Sequence, residues 1–220
     1  MMSAMTRYPK KYMRVYFVRH GTTDANQIGF FPSNDNPLNE RGTKEAKAVA
    51  HRLERVPLEK IVSSPLPRAL QTAEAVRGIK GIPLVTTDAW REIERPSALV
   101  GRSRTDSTAE KILKDIWSNL GDASWRHSDE ENFFEFKSRV HGALLQLQNE
   151  TAKNILVVTH SIVLRMVFSL ALFGENVSPE VFSKIFHGIA KDHTGVSILE
   201  YNDGVWKIIV WNDQRHIEEI

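Results

Sequence analysis

The longest apolar stretch of the chain covers residues 155–173, and His160, Ser161 and Arg165 interrupt it. A charged residue inside a membrane-spanning helix costs at least about 2.5 kcal/mol. We therefore interpret the stretch as a buried strand followed directly by a buried helix. A strand that is apolar throughout, such as Asn154–Val158, is typical of a parallel sheet covered on both faces. This feature predicts an α/β protein with polar side chains at the joint between strand and helix.

Other runs of the chain have the β-branched and aromatic composition of short strands. Three of these runs are predicted to be strands: Met13–Val18, Lys60–Ser63 and Leu84–Asp88. Each is followed by a stretch whose composition is not typical of a strand. Val196–Tyr201 and Val205–Trp211, joined by an Asn-Asp-Gly turn, predict a hairpin. Strands that alternate with helices predict a three-layer α/β/α sandwich, with a mostly parallel central sheet and an antiparallel edge strand.

Cap residues set the expected starts of the helices. Asn39 is expected to cap one helix. Ser64 is expected to cap a second helix, with Pro65 at its first position. Ser128 and Glu131 have the spacing of a capping box and predict the start of a third.

The length of 220 residues fits one domain, or one domain with a sizeable insertion. Residues 1–12 carry basic side chains with no apolar run behind them, which predicts a flexible N-terminal tail and argues against a signal peptide. Residues 13–220 are expected to form a single α/β domain. Residues 94–127 are its least regular part and predict a lid or insert, with a helix near Ala109–Leu120.

Composition argues against several classes of function. Lys and Arg number 29 and Asp and Glu 27, so the net charge is +2 and neither nucleic acid nor a membrane is predicted as a partner. The sequence contains no cysteine, which excludes disulfides, thiolate metal sites and cysteine nucleophiles. This composition agrees with a cytoplasmic location, which is our expectation.

Unusual polar residues follow each of the four predicted parallel strands. They are Arg19-His20-Gly21, Ser63-Ser64-Pro65 with Arg68, Arg91-Glu92, and Thr159-His160-Ser161. The carboxyl ends of parallel strands line one crevice of an open α/β sheet, and ligands bind there. We therefore expect two histidines, two arginines and a glutamate to meet in one site.

This set of side chains suits phosphoryl transfer. Arginine forks match phosphate oxygens, and a neutral histidine is an accepted covalent nucleophile. A second, protonated histidine would stabilise charge during transfer, and a glutamate could protonate the leaving oxygen. No metal and no other cofactor is then required. Taken singly, His160 could equally be a core histidine and Arg68 a solvated surface residue.

Four motifs together are more specific than any one of them. They are Val18–Gly21 (VRHG) with Asn26, Ser63–Glu74 (SSPLPRALQTAE), Glu92 after the third strand, and Val157–Arg165 (VVTHSIVLR). This set resembles the histidine phosphatase superfamily, in its phosphoglycerate-mutase-like branch. The resemblance covers about residues 13 to 93 and 129 to 211, and it implies the same fold class.

The resemblance also implies roles for individual residues. It implies that the catalytic residues are His20, which becomes phosphohistidine, Glu92, which donates a proton, and His160. Glu94 competes for the role of acid, but Glu92 matches the family position directly after the strand.

The same resemblance implies a phosphate pocket. Its members are Arg19, Arg68 and His160, with Asn26 nearby. Asn26 is assigned from the family alone.

The chain departs from the family pattern after Glu92. Where family members often carry a glycine-rich, tryptophan-containing stretch, this chain has the sequence Ile93–Ser97 (IERPS). Four arginines cluster nearby: Arg91, Arg95, Arg102 and Arg104. They either grip a second anionic group of the substrate or form a solvated basic loop.

Three functions remain open at this stage. The leading hypothesis is a metal-independent phosphomonoester hydrolase acting on a small phosphorylated substrate, with a phosphoprotein as another possibility. The chain has only nine residues after Trp211, which favours hydrolysis over a phosphoglycerate-type mutase with a tail over its site. The third hypothesis is an inactive module that binds phosphorylated ligands. The oligomeric state is open.

The remaining histidines lack the spacing of metal ligands and are expected to be structural or surface residues. They are His51, His127, His141, His187, His193 and His216. Asp192-His193 precedes the last hairpin and could border the pocket, although this is the less favoured interpretation.

Overall fold

One six-stranded sheet organises the molecule. The computed structural model describes residues 12–217. The strands are β1 (Tyr12–Arg19), β2 (Lys60–Ser63), β3 (Leu84–Thr86), β4 (Asn154–Thr159), β5 (Val196–Asn202) and β6 (Val205–Asp213). Their order across the sheet is β3-β2-β4-β1-β5-β6.

The four strands on one side of the sheet are parallel. β1 and β2 both pair with β4, and β3 pairs with β2. β5 is antiparallel to β1 and to β6. The predicted fold class is therefore confirmed, and the antiparallel edge consists of two strands.

Seven helices pack on the sheet or lie at its rim within the described residues. They are α1 (Asp24–Gln27), α2 (Glu40–Leu53), α3 (Pro67–Lys80), α4 (Ser107–Ser118), α5 (Phe133–Gln148), α6 (Ser161–Phe173) and α7 (Pro179–Gly188). None of the helices in this part of the chain is long and apolar enough to cross a membrane.

Alternation along β1 and β4 divides the core into two layers. Tyr16 and Val158 face the cluster built by α2 and α3, whereas Phe17 and Val157 face the cluster built by α5 and α6. Burying each side chain of this size stabilises the fold by about 1.5–3 kcal/mol. The central strands are thus covered on both faces, as the apolar run in β4 predicted.

Two of the three expected helix caps are wrong. Asn39 caps α2 as predicted, with its Oδ1 accepting from Gly42 N at 2.9 Å. However, α3 begins at Pro67 rather than Pro65. The Ser64 hydroxyl lies 2.8 Å from His160 Nε2 and accepts from the N–H of Leu66, the residue before the helix, at 3.3 Å. Pro67 occupies the first helical position, where its missing N–H is not needed.

The third cap lies four residues later than expected. Asn132 and Glu135 form the capping box of α5, and Asn132 Oδ1 accepts from Glu135 N at 3.0 Å. Ser128 is in the preceding turn, where its N–H donates to the Glu130 carboxylate at 2.8 Å. The predicted capping box would have needed the Ser128 N–H, and this turn already uses it.

Residues 94–127 contain α4 and share a small core with the loop after α1. Phe31, Leu99, Ala109 and Ile112 form this third cluster. Phe31 N donates to Arg102 O at 2.9 Å, so the loop after α1 is bonded to this segment. Of the predicted N-terminal tail, residues 1–11 lie outside the described residues, and Tyr12 is the first residue of β1.

Candidate active site

Backbone hydrogen bonds continue past the ends of the parallel strands and bring their polar residues together. His20 N donates to Thr159 O and Ser64 N donates to Val158 O, both at 3.0 Å. The rings of His20 and His160 have centroids only 5.0 Å apart, although 140 residues separate them in the chain. The expected convergence at this edge of the sheet is therefore present.

The His20 ring has a defined tautomer. Its Nδ1 lies 2.7 Å from Gly21 O, and because a carbonyl oxygen can only accept, Nδ1 carries the hydrogen. In the neutral ring, Nε2 then holds a free lone pair. Burial lowers the pKa of His20 well below its ordinary value, and the charges of His160 and Arg68 lower it further. His20 is therefore neutral and carries a free nucleophilic nitrogen.

His160 is fully buried beside His20. Its Nε2 lies 2.8 Å from Ser64 Oγ, and its Nδ1 has no partner among the described residues. Burial lowers the pKa of His160 well below its ordinary value, with further lowering by the charges of Arg68 and Arg19. The ring is held by a hydroxyl, so it is not an ordinary core histidine with all its hydrogen bonds made.

Arg19 and Arg68 are held by neutral acceptors. Arg19 Nη1 donates to Lys191 O at 2.8 Å, and Arg68 Nη1 donates to Ser33 O at 3.1 Å. The Nε atoms of both arginines are buried without a partner in the described structure. Burial lowers the pKa of Arg19 to about 10 and also lowers that of Arg68. These two arginines place unneutralised positive charge beside both histidine rings.

His193 belongs to this group, contrary to the favoured prediction that it is a structural or surface residue. Its ring centroid is 5.7 Å from that of His20. Arg19 Nη2 lies 2.7 Å from His193 Nε2, and since a guanidinium only donates, this nitrogen accepts. The carboxamide of Asn26 lies 3.1 Å from the same nitrogen. Asn26 therefore lies beside His193 at the edge of the site, with its Oδ1 facing a ring nitrogen that accepts from Arg19.

A signal for His193 was available in the sequence. It precedes β5, which runs antiparallel to β1, so the start of β5 lies beside the end of β1. Thr194 N donates to Arg19 O at 3.0 Å, which fixes this juxtaposition. When site residues are sought in a sequence, residues that precede a strand antiparallel to the central strands therefore deserve the same weight as residues that follow a parallel strand.

The two candidate acids occupy different surroundings. Glu92 Oε2 accepts from Ile162 N at 3.2 Å, in the first turn of α6, next to His160. Glu94 is exposed and pairs with Arg91 at 3.3 Å. The structure therefore places Glu92, and not Glu94, against the first turn of α6, which begins directly after His160.

The four arginines around Ile93–Ser97, where the chain departs from the family pattern, make two kinds of contact. Arg91 pairs with Glu94, and the exposed Arg102 pairs with Asp106 at 3.6 Å. Arg95 and Arg104 instead lie over the ring of Phe31, at 5.2 and 4.8 Å from its centroid. Neither forms an ion pair with a carboxylate of residues 12–217. Arg102 and Arg104 are both exposed, whereas Arg91 and Arg95 are partly buried.

A close backbone approach supports the loop after β1. A Cβ added at Gly42 would lie 2.0 Å from Thr22 O, so only glycine allows α2 this near. The buried carboxylate of Glu45 accepts from Thr22 N and Thr22 Oγ1, both at 2.8 Å. α2 thus holds the segment that carries His20.

Residues of this kind could hold an anion more readily than a metal. No group of three or more histidine, aspartate or glutamate side chains between residues 12 and 217 is arranged to hold a metal ion. Guanidinium groups and neutral rings dominate the site, and they match the oxygens of a phosphate.

Comparison with known proteins gives a family match over nearly the whole chain. Residues 15–214 match the histidine phosphatase superfamily (branch 1). A protein of Yersinia pestis (strain Pestoides F) described as "Probable phosphoglycerate mutase GpmB" is 30% identical over 213 residues, covering 94% of this chain and 95% of that protein.

Solved structures have the same fold. Bacillus stearothermophilus YhfR is 27% identical, covers 93% of this chain and 99% of its own, and has a TM-score of 0.76. The alpha-ribazole phosphatase of Shigella flexneri is 24% identical, with coverages of 91% and 96% and a TM-score of 0.77. The second likeness bears on the fold alone.

Proposed function

The chain belongs to the histidine phosphatase superfamily, and on that premise we propose that it is a phosphomonoester hydrolase that forms a phosphohistidine on His20. The observation that carries the proposal is the free Nε2 lone pair of a buried, neutral His20, set between a second histidine and two arginines without carboxylate partners. The substrate we propose is a small phosphorylated molecule, without nucleic acid or membrane as a partner and without a cofactor.

In the first step His20 Nε2 attacks phosphorus and the bond to the leaving oxygen breaks. Glu92 gives its proton to that oxygen, so the alcohol leaves neutral. Arg19, Arg68 and the unpartnered Nδ1 of His160 provide donors for the oxygens of the transferring group. The dianion also favours a proton on His160, against the burial that otherwise keeps this ring neutral.

In the second step water attacks the phosphohistidine. The P–N bond breaks and the electron pair returns to His20 Nε2. Glu92, now a carboxylate, accepts the proton of the water, so the first state is restored when phosphate leaves.

A phosphoglycerate-type mutase is the second candidate, because the Yersinia pestis relative carries that description over almost the full length of both chains. A mutase returns the phosphoryl group to another hydroxyl of the substrate instead of to water. We favour hydrolysis because it needs only the nucleophile, acid and anion pocket already assembled. Incubation with 3-phosphoglycerate separates the two: phosphate release supports hydrolysis, whereas conversion to 2-phosphoglycerate supports the mutase.

Trapping tests the covalent step. Rapid acid-free quenching with ³²P-labelled substrate should yield an adduct that is labile in acid and stable in alkali, as a P–N bond is. His20→Ala should abolish the adduct and turnover, His160→Ala should leave at most a trace of turnover, and the exposed His51→Ala should behave as wild type. Turnover should continue in excess chelator. An alkali-labile adduct on serine, or a fully active His20→Ala, would overturn the mechanism.

A further inference from the structure

The backbone that carries Glu92 has no regular secondary structure to hold it. β3 ends at Thr86, a single 3-10 turn covers Asp88–Trp90, and residues 92–96 are in neither a helix nor a strand. Carbonyl groups in such a segment receive no hydrogen bonds from a helix or a sheet, although polar groups that leave water need partners. The partners of these carbonyl groups therefore decide where the segment lies.

The carboxylate of Glu92 depends on this backbone for its position. Its two hydrogen bonds are with backbone N–H groups, from Ile93 N to Oε1 at 3.1 Å and from Ile162 N to Oε2 at 3.2 Å. Neither partner is a charged side chain that could draw the carboxylate to itself. The group can protonate a leaving oxygen only if the backbone of residue 92 is held in the right place.

Arg139 holds the backbone before Glu92. Its Nη1 donates to Ala89 O at 3.1 Å and to Arg91 O at 2.9 Å. The Arg91 carbonyl belongs to the planar peptide group that joins Arg91 to Glu92. This hydrogen bond therefore fixes the plane from which Glu92 extends.

Glu131 orients Arg139 and holds the backbone after Glu92. Its carboxylate accepts from Arg139 Nε at 2.8 Å and from Arg139 Nη2 at 2.7 Å, in the bidentate arrangement that suits a guanidinium. Its own N–H donates to Glu94 O at 3.1 Å. Arg139 and Glu131 together thus bond to the chain on both sides of Glu92.

The pair is built on a helix of the core. The side chains of Arg139 and Glu131 are 18% and 12% exposed. Glu131 lies directly before the capping residue of α5, and Arg139 lies between the buried Phe136 and Val140 of that helix. A buried ion pair usually adds little stability compared with apolar residues of the same size, so stability alone does not account for it. The pair connects an irregular loop to a rigid element, which is how a site gains a fixed geometry.

We infer that Arg139 and Glu131 are a positioning pair that sets the place of the Glu92 carboxyl group relative to the leaving oxygen. The inference rests on the proposed function, since it concerns the acid of that reaction. Both side chains act through Glu92.

Leaving groups of different basicity test the inference. Arg139→Met should lower kcat/KM for propyl phosphate by about 10- to 100-fold, the usual cost of a misplaced catalytic group. For 4-nitrophenyl phosphate it should stay within about 3-fold of wild type, because that leaving group departs without a proton. Equal losses on both substrates would overturn the inference.

His160 offers a second route by which Arg139 could act. Burial lowers the pKa of His160, and so do the charges of Arg68, Arg19 and, least, Arg139. A loss through His160 would slow both substrates alike, because both carry the same phosphoryl group. The comparison of leaving groups therefore separates the two routes.

Arg52→Met is the matched control. Arg52 pairs with Asp213 at 2.7 Å, with side chains 21% and 13% exposed, and it also donates to Asp213 O at 3.0 Å. Its bonds go to β6 rather than to the segment that carries Glu92. The variant should lose stability but keep the wild-type ratio of kcat/KM for the two substrates.

A double-mutant cycle shows whether Arg139 acts through Glu92. If it does, Arg139→Met combined with Glu92→Gln should be within about 3-fold of Glu92→Gln alone on propyl phosphate, since the acid is already absent. Losses that multiply would show that Arg139 acts independently of Glu92 and would overturn the inference.

Arg139→Lys separates the ion pair from the bonds to the carbonyl groups. An ammonium can pair with Glu131, but it lacks the fork that reaches both this carboxylate and the two carbonyl oxygens. The variant should therefore be more stable than Arg139→Met and still lose about 3- to 10-fold on propyl phosphate alone. It decides the question if Arg139→Met unfolds, and full wild-type activity would overturn the inference.

Hydrogen exchange tests the pair even without turnover. Absence of phosphate release from every substrate would overturn the hydrolase alone. The Ile162 amide, whose acceptor is Glu92, should still exchange about 10-fold or more faster in Arg139→Met, measured relative to the amide of Val157 in the buried strand β4. Arg52→Met should leave this ratio unchanged. An unchanged ratio in Arg139→Met would overturn the positioning pair, whether or not the protein is a hydrolase.

Discussion

His20 and His160 share a pocket in which burial and the nearby arginines oppose protonation of either ring. Arg19 and Arg68 act on both rings, and burial acts in the same direction. A neutral His20 can attack phosphorus without first losing a proton, so burial and charge together prepare the nucleophile. The arginines that lower the pKa of the nucleophile are also the groups that would hold the phosphoryl oxygens.

Replacement of Glu92 tests its role as acid. Glu92→Gln should slow hydrolysis of an alkyl phosphate by about 10²–10⁴-fold, because a positioned acid is worth that much when the leaving oxygen needs a proton. An aryl phosphate with an acidic phenol should lose much less. Steady-state kcat for the two substrates measures the difference. Glu94→Gln is the control and should behave as wild type, since Glu94 is exposed and pairs with Arg91. Equal losses on both substrates would show that Glu92 serves binding.

His193 is expected to act through Arg19, as a positioning residue. His193→Leu removes the acceptor of Arg19 Nη2 and should weaken inhibition by inorganic phosphate about 5- to 20-fold. His193→Gln retains an acceptor oxygen and should recover most of that affinity. The inhibition constant of phosphate measures both variants. Equal inhibition of wild type and His193→Leu would mean that Arg19 holds its position without His193.

The boundaries of the helices show what local sequence signals can and cannot predict. Asn39 caps α2 as expected, because its Oδ1 accepts from Gly42 N while its other side-chain atom, Nδ2, donates to Gln27 Oε1 at 2.8 Å. Ser64 carries the same kind of signal, yet its hydroxyl bonds to His160, 96 residues away in the chain. A cap residue that is also a site residue is used by the site, and no local pattern distinguishes the two cases.

Two glycines test how closely α2 must approach the catalytic loop. Gly42→Ala would place a Cβ 2.0 Å from Thr22 O, so the helix or the loop must shift, at a cost of about 1–3 kcal/mol or more. Gly78 lies in α3 with nothing within 4 Å of an added Cβ, so Gly78→Ala should stabilise the fold by about 0.5–1 kcal/mol. Urea unfolding measures both changes. kcat should fall in the first variant only, and a fully active, stable Gly42→Ala would refute the tight approach.

Sheet topology explains which parts of the site could be predicted from the sequence and which could not. Residues after the parallel strands β1, β2 and β4 were expected to meet, and His20, Arg68 and His160 do meet. The contacts of Arg95 and Arg104 with the ring of Phe31 were not predicted, because they depend on how the loop after α1 packs against residues 94–127. The alternation of strands and helices can be predicted from local sequence, whereas the ring or carboxylate that a cation contacts depends on tertiary structure.

Buried neutral histidines should make the stability of the whole molecule depend on pH. Burial lowers the pKa of His193 to about 3 and that of His216 to about 4, and it lowers those of His20 and His160 as well. In the unfolded chain histidine takes up a proton near pH 6.5. Below that pH the unfolded state binds more protons than the folded state. The stability is therefore complete above about pH 6.5 and is lost as the pH falls toward the folded pKa values.

Each such histidine contributes a slope of up to about 1.4 kcal/mol per pH unit. His216 is the cleanest test, because it is 6% exposed and its Nδ1 accepts from Arg52 Nη1 at 3.1 Å, so a proton there would face a guanidinium. In urea unfolding between pH 7.5 and 5.0, stability should fall less steeply below pH 6.5 for His216→Gln than for wild type, by up to about 1.4 kcal/mol per pH unit, whatever the loss of absolute stability. His51→Gln, at an exposed position, should keep the wild-type slope. If the plots of stability against pH are parallel for His216→Gln and wild type, His216 takes up its proton in the folded state as easily as in the unfolded chain. Burial beside Arg52 would then not be the cause of the acid sensitivity.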